Sequence, residues 1–202
     1  MTLTRIKSSD LTEVARVHCA AFPKAAMTLL GAEAVRRYYQ WQLAGPHDSV
    51  FFGCKSDAAL LGFCVAGRFN GALIGFLRQN RMFLARQVLL HPAFLSSSFF
   101  RQRCWMAVQL LFRFRRRRPA AKRTNNDFGI LSIAVDPGSQ HSGVGRLLMQ
   151  ECEKVARSRG CDEMTLTVAC DNFQAIRFYE HAGWNKTPND QSWQGRMRKL
   201  LA

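Results

Sequence analysis

Ile130-Leu-Ser-Ile-Ala-Val-Asp-Pro-Gly-Ser-Gln-His-Ser-Gly-Val-Gly-Arg146 is the stretch whose reading decides the fold. The apolar run from Phe128 to Val135 reads as a strand buried on both faces. Asp136-Pro137-Gly138 ends it in a tight turn. A helix then opens, with Val144, Leu147, Leu148, Cys152, Val155 and Ala156 on one side and Gly160 near its end. The first N–H groups of such a helix have no partner inside it, and its dipole favours negative charge there. Gly143 and Gly145 let an anion approach the backbone with no Cβ in the way, and Arg146 adds a cation nearby, so the turn suits a phosphate. A bare Gly-x-Gly serves close packing more often than phosphate, and on these residues alone both readings stand.

Outward from this unit the pattern keeps alternating. Met164, Leu166 and Val168 interleave with Thr165 and Thr167 as in a strand. Asp171 with Gln174 imitates a capping box that opens a helix, Gly183 closes it, and a last strand is expected near Arg196 to Leu200 after Gly195. Toward the N-terminus, Asp10 with Glu13 marks a helix start, and Leu11, Val14, Ala15, Ala21 and Phe22 share a face as far as Pro23. A second helix is predicted from about Leu29 to Leu43. Val50–Cys54 and Leu60–Ala66 then read as a hairpin around Lys55-Ser56-Asp57. The expected class is α/β, in one domain.

The chain has 202 residues and a formal net charge of +15. Thirteen Lys or Arg and no Asp or Glu lie between Arg68 and Asn126, so the remainder is close to neutral. That basic tract, about 68–126, reads as an insertion with helices near Gly75–Leu90 and Leu95–Arg117, broken at Pro92. Three occupants suit its mix of arginine, Trp105 and phenylalanines over residues 75–118. They are an anionic membrane surface, the domain itself or a second copy in a homodimer, and, least favoured for want of a base-reading motif, nucleic acid. Seven widely spaced cysteines with no CxxC pair suit a reducing cytoplasm rather than a disulfide framework or zinc cluster. The first 22 residues read as a strand and an amphipathic helix rather than an apolar leader, and no run approaches eighteen apolar residues.

Val135, Pro137, Gln140, Gly143 and Gly145 resemble, in order and spacing, the acetyl-CoA motif of the GCN5-related N-acetyltransferases. Asp171-Asn172, Ala175, Phe178-Tyr179 and Gly183-Trp184 are similar to the second element of that family. The resemblance is strong over Phe128–Trp184, fainter over the first 67 residues, and does not extend to the insertion. It implies a mixed, twisted sheet flanked by helices, with acetyl-CoA as cosubstrate, a primary amine as acceptor and no metal. It further implies that the backbone of Ile133, Ala134 and Val135 pairs with pantetheine. The amides of Gln140, His141, Ser142, Gly143, Val144, Gly145 and Arg146 would hold the pyrophosphate, Asn172 and Phe178 would also border the cofactor, and Tyr179 would be the general acid.

Each role has a plainer counterpart. Tyr179 is also at core spacing from Ala175 and Ala182, and Asn172 is also a natural helix cap. No general base is legible. His141 occupies a variable motif position, His18, His47, His91 and His181 stand in no constellation, and Asp127, Asp136 and Glu163 read as solvated or capping carboxylates. Thr28-Leu-Leu-Gly31, Tyr38-Tyr39, the Leu61–Ala66 strand and the basic insert resemble a subgroup associated with bacterial polysaccharide and lipid-linked sugar synthesis. That resemblance implies a nucleotide- or lipid-linked amino sugar as acceptor, met peripherally at the inner face of the membrane. The alternatives are a peptide or protein N-acetyltransferase and a non-catalytic acyl-CoA-binding or membrane-adaptor module.

Overall fold

The computed structural model describes residues 1–57, 59–69, 72–90, 127–187 and 193–201. β1 (Thr2–Arg5) leads through a 3₁₀ turn (Ser8–Asp10) into α1 (Leu11–Ala21), α2 (Ala26–Leu29) and α3 (Ala32–Ala44). The β2–β3 hairpin (Asp48–Ser56, Ala59–Arg68) follows, then α4 (Ala72–Gln79) and α5 (Arg81–Leu90). After the insertion come β4 (Asp127–Val135), a 3₁₀ turn (Pro137–Ser139), α6 (Val144–Ser158), β5 (Glu163–Thr167), α7 (Phe173–His181), β6 (Asn185–Lys186) and β7 (Arg196–Leu200). The sheet is mixed, in the order β1-β2-β3-β4-β5-β7-β6, with β4 and β5 the one parallel pair among the described strands. Among the described residues no helix is long and apolar enough to cross a membrane.

Side chains of the central strands alternate between two cores, as the two-residue period of a strand requires. Phe51, Phe63 and Val65 turn toward α1 and α3, where they meet Leu11, Val14, Val17, Val35 and Tyr39. Val50, Phe52, Cys54 and Cys64 turn the other way, toward Leu148, Cys152, Ile176 and Trp184 of the α6–α7 layer. With both faces covered, the hairpin strands run apolar almost throughout.

Local expectations are refined in places. The helix expected from about Leu29 to Leu43 is α3, which begins at Ala32 because Gly31 takes φ +95°, a conformation disfavoured for residues with a Cβ, and the short α2 precedes it. The helix start marked by Asp10 and Glu13 is where α1 begins, with Asp10 at its N-cap but no side-chain hydrogen bond to the helix. The Asp10 carboxylate accepts instead from the Lys7 amide at 2.8 Å and from Lys55 Nζ of β2 at 2.7 Å, while Glu13 pairs with Arg16. The helix expected over Gly75–Leu90 is broken at Asn80, whose side-chain amide donates to the Phe76 carbonyl at 3.1 Å. The short strand β6 carries no pattern long enough to read. The second insertion helix, Leu95–Arg117, lies outside the described residues.

The feature that positions the site is where β4 loses a neighbour. It pairs with β5 only from Asp127↔Glu163 to Ile130↔Leu166. On its other side Val65 faces Ser132 and Ala66 faces Ile130, so Leu131 is an extra residue, a bulge that bends and twists the strand. Beyond Ile130 no described strand pairs with the β5-side edge of β4. The run expected to be buried on both faces is therefore only half-buried at Leu131–Ile133 and Val135.

Candidate active site

A cleft of about 840 Å³ opens where β4 and β5 part. Its lining includes Ile133, Ala134 and Val135, the loop residues Gln140, His141, Ser142 and Gly143, and Gly145 and Arg146 of α6. Asn172, Phe178 and Tyr179 complete the sequence-predicted set that the fold brings together here. The loop is held firmly. The Asp136 amide donates to the Leu61 carbonyl at 2.8 Å, and its carboxylate caps the 3₁₀ turn by accepting from Gly138 N at 3.1 Å. That carboxylate also pairs with Arg16, which holds it below its ordinary pKa and ties the loop to α1. Ser142 Oγ donates to the Ser139 carbonyl at 2.6 Å.

His141 and Gly143 both have positive φ, +62° and +88°. The loop curls there, and among the described residues no acceptor meets the amides of His141, Ser142 or Gly143. The amides of Val144, Gly145 and Arg146 open α6 and have no partner within it. A Cβ built on Gly143 would meet nothing within 4 Å, so the space above it is open. Gly145 differs: its Cβ would lie 3.4 Å from the Phe178 ring, so its role is the packing of α6 against α7. Val144 offers only its backbone to the loop, for its side chain is 1 % exposed and packs in the core with Leu148 and Cys152.

On α7, Asn172 is the cap, accepting from the Ala175 amide at 3.1 Å, and the Asp171–Gln174 box does not form. Tyr179 is 8 % exposed and lies between Phe178 and Trp184, with ring centroids 5.3 and 6.1 Å away. Burial, and then the nearby Cys64 thiol, push its phenol well above the usual tyrosine range. Its hydroxyl makes no hydrogen bond among the described residues, so the phenol is protonated at neutral pH and free to donate.

Sequence reasoning missed part of the wall. Ala21 and Phe22, at the end of α1, close the cleft from the far side of the sheet, and Gln174, Arg177 and His181 extend it along α7. The helical spacing of the last three with Phe178 was a usable signal, and it moves His181 from unassigned to cleft-lining. His18 also gains a setting. Its Nδ1 lies 2.8 Å from the hydroxyl of fully buried Tyr39, which donates to Ser132 Oγ on β4 at 3.0 Å. Its Nε2 is buried without a partner, and burial lowers the imidazole to about 4, so it is neutral. Among the described residues no group of three potential metal ligands occurs, and His91 lies outside them.

A sequence profile for the acetyltransferase (GNAT) family matches residues 12–184. The chain belongs to this family. Over 55 residues it is 42 % identical to a mycothiol acetyltransferase from Beutenbergia cavernae, an alignment covering 27 % of this chain and 18 % of that protein. Over 57 residues it is 37 % identical to the [ribosomal protein bS18]-alanine N-acetyltransferase of Escherichia coli, covering 28 % of this chain and 38 % of that one. The chain thus spans well under half of these relatives. The PaiA N-acetyltransferase from Thermoplasma acidophilum, solved in complex with coenzyme A, superposes with a TM-score of 0.60 at 15 % identity, covering 98 % of both chains, a likeness of fold.

The residues present fit a coenzyme A species, as other GNAT structures hold one. The fit rests on three observations: unpaired amides from His141 to Arg146 at the start of α6, open space over Gly143, and an unpaired strand edge leading from that loop toward Tyr179.

Proposed function

We propose that this chain transfers an acetyl group from acetyl-CoA to a primary amine. One observation carries the reading. A single cleft joins a ring of free backbone amides, an unpaired β edge and a buried, protonated phenol in series. The amides and the α6 dipole suit the diphosphate. The exposed edge of β4 at Ile133–Val135 offers N–H and C=O groups in strand spacing to an amide-bearing chain. When bound, acetyl-CoA supplies a thioester, whose cleavage needs a proton for the departing sulfur. Tyr179 keeps its proton at neutral pH and is the donor. No Asp or Glu lines the cleft among the described residues, so the amine arrives unprotonated or loses its proton to water or to a lining imidazole, His141 or His181.

The lining also bears on the acceptor. Arg177 and His181 stand on the α7 wall, and among the described residues no carboxylate lines the cleft with them. This favours an acceptor with negative charge near its amine, and so supports the nucleotide- or lipid-linked amino sugar expected from the sequence. A peptide amine is the second reading, favoured by the alanine N-acetyltransferase relatives. Release of free thiol from acetyl-CoA, measured across nucleotide amino sugars, free amino sugars, polyamines and peptides, separates them. Anionic amino sugars should turn over fastest. Faster turnover of a basic peptide would reverse the order, and intact coenzyme A binding with no thiol released by any amine would leave a binding module.

A further inference from the structure

We infer that the α4–α5 helical pair is a docking surface for anionic phospholipid, a property that stands apart from the acetyl-transfer reading. Among the described residues the pair is fastened to the domain on one side. Phe83, Leu84 and Val88 pack on Leu30 and Ala34, Arg37 stacks over Phe83 at 4.1 Å, and fully buried Phe76 meets Tyr38 edge to face. The opposite side carries large apolar side chains as well. Leu73, Ile74 and Leu77 of α4 are 55 %, 42 % and 47 % exposed, and Met82, Leu89 and Leu90 of α5 are 78 %, 79 % and 58 % exposed. Six large aliphatic side chains on two consecutive helices make a patch that ordinary surfaces avoid unless something covers it.

Charge identifies the occupant. Arg78, Arg81 and Arg86 are exposed along the same arcs of the two helices and pair with no carboxylate among the described residues. A second copy of this face would set arginines against arginines. Residues 91–126 of the chain itself would add nine more Lys or Arg and no acid. A partner that is at once anionic and apolar answers both features, and an acidic bilayer is such a partner: headgroups meet the guanidinium groups while Leu, Ile and Met enter the acyl boundary. Nucleic acid answers the charge alone, because the exposed side chains are aliphatic and offer no ring for a base to stack on.

Co-sedimentation of the full chain with vesicles tests this. The protein should pellet with phosphatidylcholine vesicles containing about 30 % phosphatidylglycerol and remain in solution with phosphatidylcholine alone. The triple change R78E/R81E/R86E should lower partitioning at least about tenfold, and L73S/L77S/L89S should remove the part of the binding that survives high salt. Thermal shift by acetyl-CoA, read on every variant, shows that the fold is kept. No binding to the anionic vesicles, or equal binding by wild type and both variants, overturns the inference. So does full displacement from vesicles by plain duplex DNA at equal charge concentration, which would assign the face to nucleic acid.

Discussion

The two sides of the sheet use their residues differently. On the α6–α7 side, conformation is prescribed position by position. Gly143 needs positive φ, Asn172 must accept an amide proton, Gly145 must leave room for Phe178, and each requirement admits few residue types. On the α1–α3 side the demands are volume and polar pairing at a distance, as when His18, Tyr39 and Ser132 from three elements close one chain of hydrogen bonds. The difference teaches where a substitution will be felt: in ligand affinity and rate on the first side, in stability on the second.

Gly143→Asp should have the largest effect. An aspartate at φ +88° is strained, and its carboxylate would occupy the open space where the free amides await an anion. Calorimetry should show coenzyme A affinity down at least about a thousandfold, or ~4 kcal/mol. The melting temperature without ligand should fall by only the few degrees expected of about 1 kcal/mol. A large loss of fold with unaltered affinity would erase the contrast between the sides.

The α1–α3 side should answer to pH. His18 titrates near 4 in the fold against about 6.5 when unfolded, because burial disfavours its charged form. Between those values the unfolded chain binds a proton that the folded chain does not. This contribution is therefore whole above pH 6.5 and lost as pH falls toward 4, to a depth of about 3 kcal/mol. Glu33, held down to about 2 chiefly by Arg36, acts below that window. Melting curves at pH 7 and 4.5 should show the drop, and His18→Gln should flatten it. An equal drop in the variant would place the acid sensitivity elsewhere.

Tyr179→Phe comes next and returns to the first side. The fold loses one hydroxyl that bonds to nothing, so stability should hold and the KM for acetyl-CoA should stay within about twofold, while kcat falls about a hundredfold, ~2.7 kcal/mol. Unchanged kcat would reduce Tyr179 to the core aromatic that its spacing from Ala175 and Ala182 also allows.

The same contrast explains what was legible. Val135, Pro137, Gln140, Gly143 and the Asp171–Trp184 element could be read through their resemblance to the family's motifs, and at Gly143 and Asn172 the backbone geometry supplies the reason for the residue type. Ala21 and Phe22 line the same cleft yet could not be read, since they reach it from across the sheet and their types are ordinary for a helix end. Asp10 shows what a local rule leaves out: it marks the start of α1, but its carboxylate is taken by the Lys7 amide and by Lys55, forty-five residues on. Gly31 shows the reverse, a single residue overriding a helical pattern on both sides of it. Val144 was legible as a core residue, for it falls at i, i+4 and i+8 with Leu148 and Cys152 on the buried stripe.

Asn172→Ala is the smallest effect and the finest cut, because this residue meets both demands at once: it caps α7 and borders the cleft. As a cap alone, its loss should cost about 1 kcal/mol of stability, and Asn172→Asp, which keeps an acceptor oxygen, should restore it. Acetyl-CoA affinity would then move less than about twofold in either variant. If Asp restores the melting temperature while both variants lose affinity, the side-chain amide is itself a ligand contact, since the neutral alanine adds no charge to repel the phosphates and the NH₂ is missing from both. The Oδ1 atom is already engaged by Ala175 N, which leaves that NH₂ as the one part of the side chain with a hydrogen bond still to give.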